Sequence, residues 1–93
     1  MRSRFSAFAV GDADYLLRSW HPRTRPPTVE LDPEQHWVQL EILGSSGGGL
    51  LQSDGVVEFR AHYRRRADSG AVRERSRFRR ENGLWTYLDG VSL

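Results

Sequence analysis

Three polar residues in the C-terminal third of the chain are spaced so that a β-sheet would bring them together. Glu74 and Ser76 alternate with arginines in the segment RERSRFRR at 73–80, and Asp89 follows the Asn-Gly pair at 82–83. Alternate residues of a strand point to one side, and Asn-Gly is a strong hairpin signal. A turn at this pair places Ser76 opposite Asp89 and Glu74 beside them.

Two neighbouring carboxylates under an apolar cover need hydrogen bonds or a cation, since otherwise burial and mutual repulsion raise the pKa of at least one of them. Arg18, His21 and Arg25 lie close to Trp20 in the sequence and could supply that cation. The residues therefore leave two alternatives open: a buried ion-pair network, or the floor of a ligand pocket. The predicted pocket residues are Trp20, His21, Arg25, Tyr63, Glu74, Ser76, Tyr87 and Asp89.

The arginines fall on the opposite side of the same strands. Residues 60–80 contain nine arginines against Asp68 and Glu74, and all 14 basic residues of the chain are arginine. A hairpin turn at Asp68–Ser69 places Arg60 opposite Arg77. Such a strip is either a solvated sheet face or a surface for phosphate groups. The predicted anion or nucleic-acid surface comprises Arg60, Arg64, Arg73, Arg75, Arg77 and Arg79.

The elements that position these residues follow from periodicity. The first twenty residues predict two short helices, separated at Gly11 and with Asp12 as the N-cap of the second. The second helix carries a stripe of Leu16, Leu17 and Trp20 and ends before Pro22. The period then changes to two, which predicts strands near 37–42, 55–66, 71–81 and 84–92, with GSSGGG at 44–49 as a loop.

Helices followed by an antiparallel meander define an α+β fold with the helices on one face of the sheet. The strand pattern predicts an apolar side that faces the helical stripe and an arginine side that faces solvent. The predicted apolar side comprises Val57, Phe59, Ala61, Tyr63, Val72, Phe78, Trp85, Tyr87 and Val91.

Composition restricts the function classes. With 93 residues and no cysteine, the chain predicts one small domain without a disulfide framework or thiolate metal site. His21, His36 and His62 lack a zinc-binding spacing, so neither a metal nor a cofactor is expected. No apolar run is long enough to span a bilayer. We therefore expect a cytoplasmic protein with no membrane partner. Repulsion between two arginine sides argues against a tight homodimer, so a monomer or weak homodimer is expected.

The blocks RSRFSAF at 2–8, SWHPRTRP at 19–26, ERSRF at 74–78 and LWTYLDG at 84–90 resemble the YchJ-like middle domain of bacterial proteins, in the nuclear transport factor 2-like superfamily. The resemblance covers nearly the whole chain, so residues 1–93 are expected to form one such domain. It implies helices on the concave face of a curved antiparallel sheet, often with a cavity between them. Family members usually carry a cysteine-rich SEC-C zinc motif beside this domain. No cysteine is present here, so zinc binding is not transferred.

The resemblance implies no reaction, and three functions follow as hypotheses. The first is a non-enzymatic module that binds an unknown protein or small molecule in the predicted pocket. The second is an enzyme of ketosteroid isomerase or polyketide cyclase type, with Glu74 or Asp89 as general base and Tyr63, Tyr87 or His21 as donor. The third is nucleic-acid or ribosome contact through the arginine side.

Overall fold

Two short helices precede a four-stranded antiparallel sheet in the computed structural model, which describes residues 1–49 and 51–93. The helices are α1 (Arg2–Val10) and α2 (Ala13–Arg18). The strands are β1 (Gln35–Gly47), β2 (Asp54–Arg65), β3 (Asp68–Glu81) and β4 (Leu84–Ser92), in the spatial order β1-β2-β3-β4. The predicted α+β fold is confirmed. Neither helix in the described part of the chain has the length and apolar character needed to span a bilayer.

The helix boundaries follow from caps that the sequence contains. Gly11 adopts a left-handed conformation with φ 76° after α1, where a glycine avoids the steric cost of a Cβ. Asp12 then caps α2 by accepting a hydrogen bond from the Tyr15 amide at 3.0 Å, as predicted. Helix α2 ends at Arg18, two residues earlier than the apolar stripe suggests, because Trp20 pairs with Tyr87 as a short parallel bridge beside β4.

The β3–β4 turn has the predicted register. Asn82 and Gly83 both have positive φ, 52° and 79°, as a two-residue hairpin of this type requires. Phe78 lies opposite Tyr87, and their ring centroids are 5.8 Å apart.

The β2–β3 turn lies at Arg66–Ala67 and not at Asp68–Ser69, so the predicted pairing is wrong by four residues. Phe59 faces Glu74 and Arg60 faces Arg73. A glycine explains the shift: Tyr63 lies across Gly70, where an added Cβ would come within 2.7 Å of the tyrosine hydroxyl. Because the shift is an even number, each residue of β2 and β3 keeps its predicted side of the sheet.

Strand β1 departs from the prediction twice. It extends to Gly47, since Ser45, Ser46 and Gly47 pair with β2, so most of the predicted GSSGGG loop is strand. A bulge at Val38 also breaks the alternation. Trp37 therefore lies on the helix side and contacts Tyr63, with 5.5 Å between ring centroids, while the Val38 side chain is 56% exposed.

The core is small and lies between the helices and the middle of the sheet. The buried apolar residues are Ala7, Leu16, Phe59 and Ala61, and Leu16 is fully buried. Three polar residues are buried with them: Arg4, His21 and Ser76. A core this short of aliphatic side chains with a buried guanidinium is unusual for a small domain.

Candidate functional site

A cavity of about 200 Å³ lies between α1 and the sheet and is partly open to solvent. Its apolar wall comes from the helix, from β1 and from the two central strands. The apolar lining residues are Met1, Phe5, Phe8, Trp37, Phe59, Ala61 and Val72. The polar lining residues are Arg4, Trp20, Glu74, Ser76 and Tyr87. An apolar enclosure with a few convergent polar groups is the usual form of a small-molecule site.

Arg4 is the most unusual of these residues. Its side chain is directed under the helices because Met1, Arg4, Phe5 and Phe8 follow the spacing of one helical face, and all four line the cavity. The residue is only 6% exposed. Its guanidinium carbon lies 3.7 Å from the Tyr87 ring centroid and 4.6 Å from that of Trp20. Two aromatic rings thus hold a cation that has left water.

No carboxylate among the described residues forms a salt bridge with Arg4. Burial lowers the pKa of Arg4, and this change is opposed by Tyr87 and by the charge of Glu74. An arginine remains protonated in proteins. The cavity therefore contains a permanent positive charge with no contacting counter-ion in the described chain.

Three buried polar atoms at the cavity have no hydrogen-bond partner among the described residues: Arg4 Nη1, Trp20 Nε1 and Ser76 Oγ. The first two can only donate, and the third can donate or accept. Each unpaired buried donor is costly. The three residues that carry these atoms all line the same cavity, which indicates a place for an acceptor atom.

Ser76 lies beside Tyr87 at the end of this cluster. An added Cβ at Gly90 would lie 3.0 Å from the Tyr87 hydroxyl and 3.2 Å from Ser76 Oγ, so the glycine leaves room for both. No hydrogen bond of ordinary geometry uses Ser76 Oγ, although the serine is near enough to oppose slightly the rise in the Tyr87 pKa. That rise comes chiefly from burial, and it is opposed mainly by Arg4.

Asp89 does not belong to the cavity, and its predicted inward orientation is wrong. A bulge at Leu88 shifts the register of β4, so that Asp89 faces Arg77 and Gly90 faces Ser76. The Asp89 carboxylate accepts hydrogen bonds from Nε and Nη2 of Arg77 on the outer side. The same shift turns Val91 outward, where it is 57% exposed. The bulge carbonyl of Leu88 accepts a hydrogen bond from Thr24 Oγ1 at 2.5 Å.

The other predicted pocket residues divide clearly. Trp20, Glu74, Ser76 and Tyr87 line the cavity. His21 is buried outside it, where Nε2 lies 3.0 Å from Glu81 Oε1 and Nδ1 accepts a hydrogen bond from the Arg23 amide. Arg25 donates to the Trp20 carbonyl, and Tyr63 packs on Trp37. The cation that shares the cavity with Glu74 is Arg4, and not Arg18, His21 or Arg25 as predicted.

Sequence reasoning missed Arg4 and Trp37, and also the other lining residues from the first helical face, Met1, Phe5 and Phe8. A signal for Arg4 was present, since it stands four residues before Phe8 on the same helical face. Trp37 gave no such signal, because its side depends on the bulge at Val38.

On the outer face, the arginines of β2 and β3 are interleaved with acids. Glu58 lies 2.7 Å from Arg73 Nη2 and 3.2 Å from Arg75 Nη2. Asp89 pairs with Arg77, and Glu41 contacts both His62 and Arg60. Glu81 lies 3.6 Å from Arg79 Nε. Of the six predicted surface arginines, Arg64 is the one without a salt bridge among the described residues, so the strip is largely neutralised within the sheet.

These pairs predict a loss of stability in acid. Hydrogen bonds from His62, Arg73, His21 and Arg77 hold the pKa values of their four carboxylates below the usual range. A carboxylate with a lower pKa in the folded state stabilises the fold above its unfolded pKa, near 4, and loses this contribution as pH falls through the folded value. Urea midpoints should be flat from pH 7 to about 5 and fall below pH 4. The four carboxylates are Glu41, Glu58, Glu81 and Asp89.

Screening provides the control for this pH dependence, because the pairs are exposed and 1 M sodium chloride weakens them. The decline below pH 4 should therefore be shallower in high salt. Midpoints that stay constant down to pH 3 at low salt would show that the outer ion pairs contribute nothing.

Replacing Asp89 with asparagine should have a small effect on stability, because the carboxylate is paired with Arg77 on an exposed face. We expect the melting temperature to change by a few degrees at most. Asp68→Asn removes a carboxylate that is exposed and has no salt bridge among the described residues, and is a control for the same change in charge. A large drop in the melting temperature for Asp89→Asn alone would place the carboxylate in the core after all.

Two helices over one face of a four-stranded antiparallel sheet, with a cavity between them, are consistent with the NTF2-like class. A sequence model described as the YchJ middle NTF2-like domain matches residues 1–90. The chain belongs to this family.

Relatives in bacteria agree with this assignment. The chain is 53% identical over 93 residues to a UPF0225 protein of Streptomyces coelicolor, covering 100% of the chain and 72% of the relative. It is 54% identical to a UPF0225 protein of Streptomyces avermitilis, covering 97% of the chain and 61% of the relative. The solution structure of RPA3114, a SEC-C motif containing protein from Rhodopseudomonas palustris, matches with a TM-score of 0.83 and 34% identity, covering 100% of the chain and 75% of that protein.

Proposed function

We propose that this domain is a non-enzymatic module that binds a small molecule in the cavity between α1 and the sheet. The observation that carries the proposal is the buried guanidinium of Arg4, which lines the cavity with Nη1 unpartnered. Natural domains retain such costly groups where function requires them. The cytoplasmic location stays a prediction from the absence of cysteine.

Most residues of the alternative hypothesis, an enzyme that uses a general base, do not line the cavity. Of the two predicted general bases, Glu74 lines the cavity and Asp89 is paired on the outer face. Of the predicted donors, Tyr87 remains, while Tyr63 and His21 do not line the cavity. The nucleic-acid alternative is weakened because acids of the same sheet already pair with the arginines.

A variant that fills the cavity tests the proposal. Val72 lines it, and the neighbouring Ala71 is exposed on the outer face of the same strand. Val72→Phe should abolish the chemical-shift changes that benzoate or benzyl alcohol causes in the folded chain, because the larger ring occupies the cavity. Ala71→Phe should leave those changes intact.

Two results would count against a ligand site here. One is the absence of any shift with either compound at millimolar concentration. The other is an equal response of Val72→Phe and Ala71→Phe, which would place the compounds elsewhere on the surface. The Trp20 and Trp37 indole N–H signals report on the cavity, while Trp85, which does not line it, is an internal reference.

A further inference from the structure

We infer that the ligand of this cavity is a small monocarboxylate with an apolar body, an inference that rests on the proposed binding function. The carboxylate would accept hydrogen bonds from Arg4, Trp20 and Ser76, and the body would lie against the aromatic wall. Size, charge and hydrogen-bonding capacity of the site each restrict the ligand.

Hydrogen-bonding capacity requires an acceptor. Arg4 Nη1 and Trp20 Nε1 have no lone pair to offer, so a ligand that presents a donor here would leave both unpaired. Ser76 is only 1% exposed, and its hydroxyl can turn its proton toward the same acceptor. A carboxylate has two oxygens and about four lone-pair positions, which is enough for all three groups.

Charge requires an anion and not a neutral acceptor. The Arg4 guanidinium lies against the rings of Tyr87 and Trp20 and has no carboxylate of the described residues in contact with it. Hydrogen bonds between two charged groups are about twice as strong as neutral ones, and more so where water is excluded. A neutral acceptor would satisfy the hydrogen bonds but would place no negative charge in contact with the guanidinium.

Glu74 limits the anion to one negative charge. Its side chain lines the same cavity from β3 and is close enough to influence the pKa values of both Arg4 and Tyr87. Arg4 and Glu74 together carry no net charge, so a monoanion in contact with Arg4 already makes the cavity negative, and a dianion adds a second negative charge near Glu74. A doubly charged head such as a phosphonate dianion would be repelled by Glu74.

Size restricts the apolar body. A volume of about 200 Å³ corresponds to roughly seven water molecules at about 30 Å³ each. A single six-membered ring with a carboxylate fits this space, whereas a steroid or a nucleotide does not. The neighbouring rings of Phe8, Trp37 and Phe59 favour a flat or branched apolar group.

The test compares three compounds of one size with the folded 93-residue chain at pH 8, by titration calorimetry and by NMR of the Trp20 indole signal. Benzoate is expected to bind about tenfold or more tightly than benzyl alcohol, since the alcohol lacks the charge. Benzoate should also bind more tightly than phenylphosphonate, which is doubly charged at this pH. Only benzoate should shift the Trp20 indole proton strongly downfield.

Two variants assign the effect to residues. Ser76→Ala should weaken the binding of benzoate more than the binding of benzyl alcohol. Glu74→Gln should reduce the difference in affinity between benzoate and phenylphosphonate. Glu58→Gln, on the outer face of the adjacent strand, should leave that difference unchanged. If the Glu74→Gln variant prefers benzoate over phenylphosphonate as strongly as the parent does, Glu74 does not select against dianions. The single-charge inference would then be wrong.

The outcomes separate this inference from the function on which it rests. If benzyl alcohol binds in the cavity as tightly as benzoate, a ligand site exists and the monocarboxylate inference is wrong. If phenylphosphonate binds more tightly than benzoate, the site is one for dianions. If none of the three compounds binds, the proposed binding function itself fails.

Discussion

Replacing Arg4 with methionine should leave the domain folded, with a melting temperature equal to or above that of the parent, and should abolish benzoate binding. Methionine matches much of the volume of the arginine side chain and packs well against aromatic rings. The substitution removes a buried cation without a contacting counter-ion and an unpartnered Nη1. Stability and binding should therefore change in opposite directions.

The magnitudes support this expectation. Contacts of the guanidinium with the Tyr87 and Trp20 rings contribute about 2 kcal/mol or more in a desolvated setting. Against them stand the desolvation of a charge, which costs several kcal/mol, and an unsatisfied donor, which costs about 1–3 kcal/mol. These costs equal or exceed the gain in the parent, so we expect Arg4→Met to leave the free energy of unfolding unchanged or to raise it by about 1 kcal/mol or more.

Two matched variants complete the experiment. Arg2→Met makes the same change at an exposed position of α1 and should affect neither property. Arg4→Lys keeps the charge but loses the planar group that stacks on the rings, so it should be less stable than Arg4→Met. Urea denaturation and benzoate calorimetry measure both properties. An Arg4→Met protein that loses about 3 kcal/mol or more and still binds benzoate would identify Arg4 as a structural residue.

Replacing Leu16 with alanine should be the most destabilising truncation in the chain. Leu16 is the one fully buried large aliphatic side chain among the described residues, and it joins α2 to the core. Truncation of a buried leucine costs about 2–5 kcal/mol, which is a large share of the roughly 5–14 kcal/mol expected for a domain of this size. We expect the melting temperature to fall by about 10 °C or more.

The control is the same change at Leu84, which is 70% exposed at the β3–β4 turn. Leu84→Ala should remain within about 0.5 kcal/mol of the parent by urea denaturation. If the two variants lose the same stability, α2 does not contribute to the cooperative core. Benzoate affinity of the folded fraction should be similar in both, because neither leucine lines the cavity.

The polar residues under the helices show how far sequence reasoning could reach. The alternation of Glu74 and Ser76 with arginines was enough to place both under the helices, and the Asn-Gly turn was enough to place Tyr87 opposite Phe78. The error of four residues in the β2–β3 register did no harm, because side-chain direction depends on parity and not on the individual partner. The side of the sheet on which a residue lies was therefore easier to predict than its partner on the neighbouring strand.

Asp89 and Trp37 show where this reasoning stopped. Each is adjacent to one extra residue, Leu88 in β4 and Val38 in β1. One extra residue reverses the side of the residues before it relative to those after it. A bulge depends on contacts made after the sheet forms, such as the hydrogen bond from Thr24 to the Leu88 carbonyl. Nothing local in the sequence marks the position.

By itself, the sequence determined the order of two helices and four strands, the caps at Gly11 and Asp12, and the separation of an apolar face from an arginine face. These features depend on periods and on backbone preferences that neighbouring residues carry. The tertiary structure alone decided that Arg4 is the buried cation, that Asp89 neutralises Arg77 outside, and that three unpaired polar atoms share one cavity. Those outcomes depend on which distant side chains meet once bulges and strand register are set, and no local pattern contains that information.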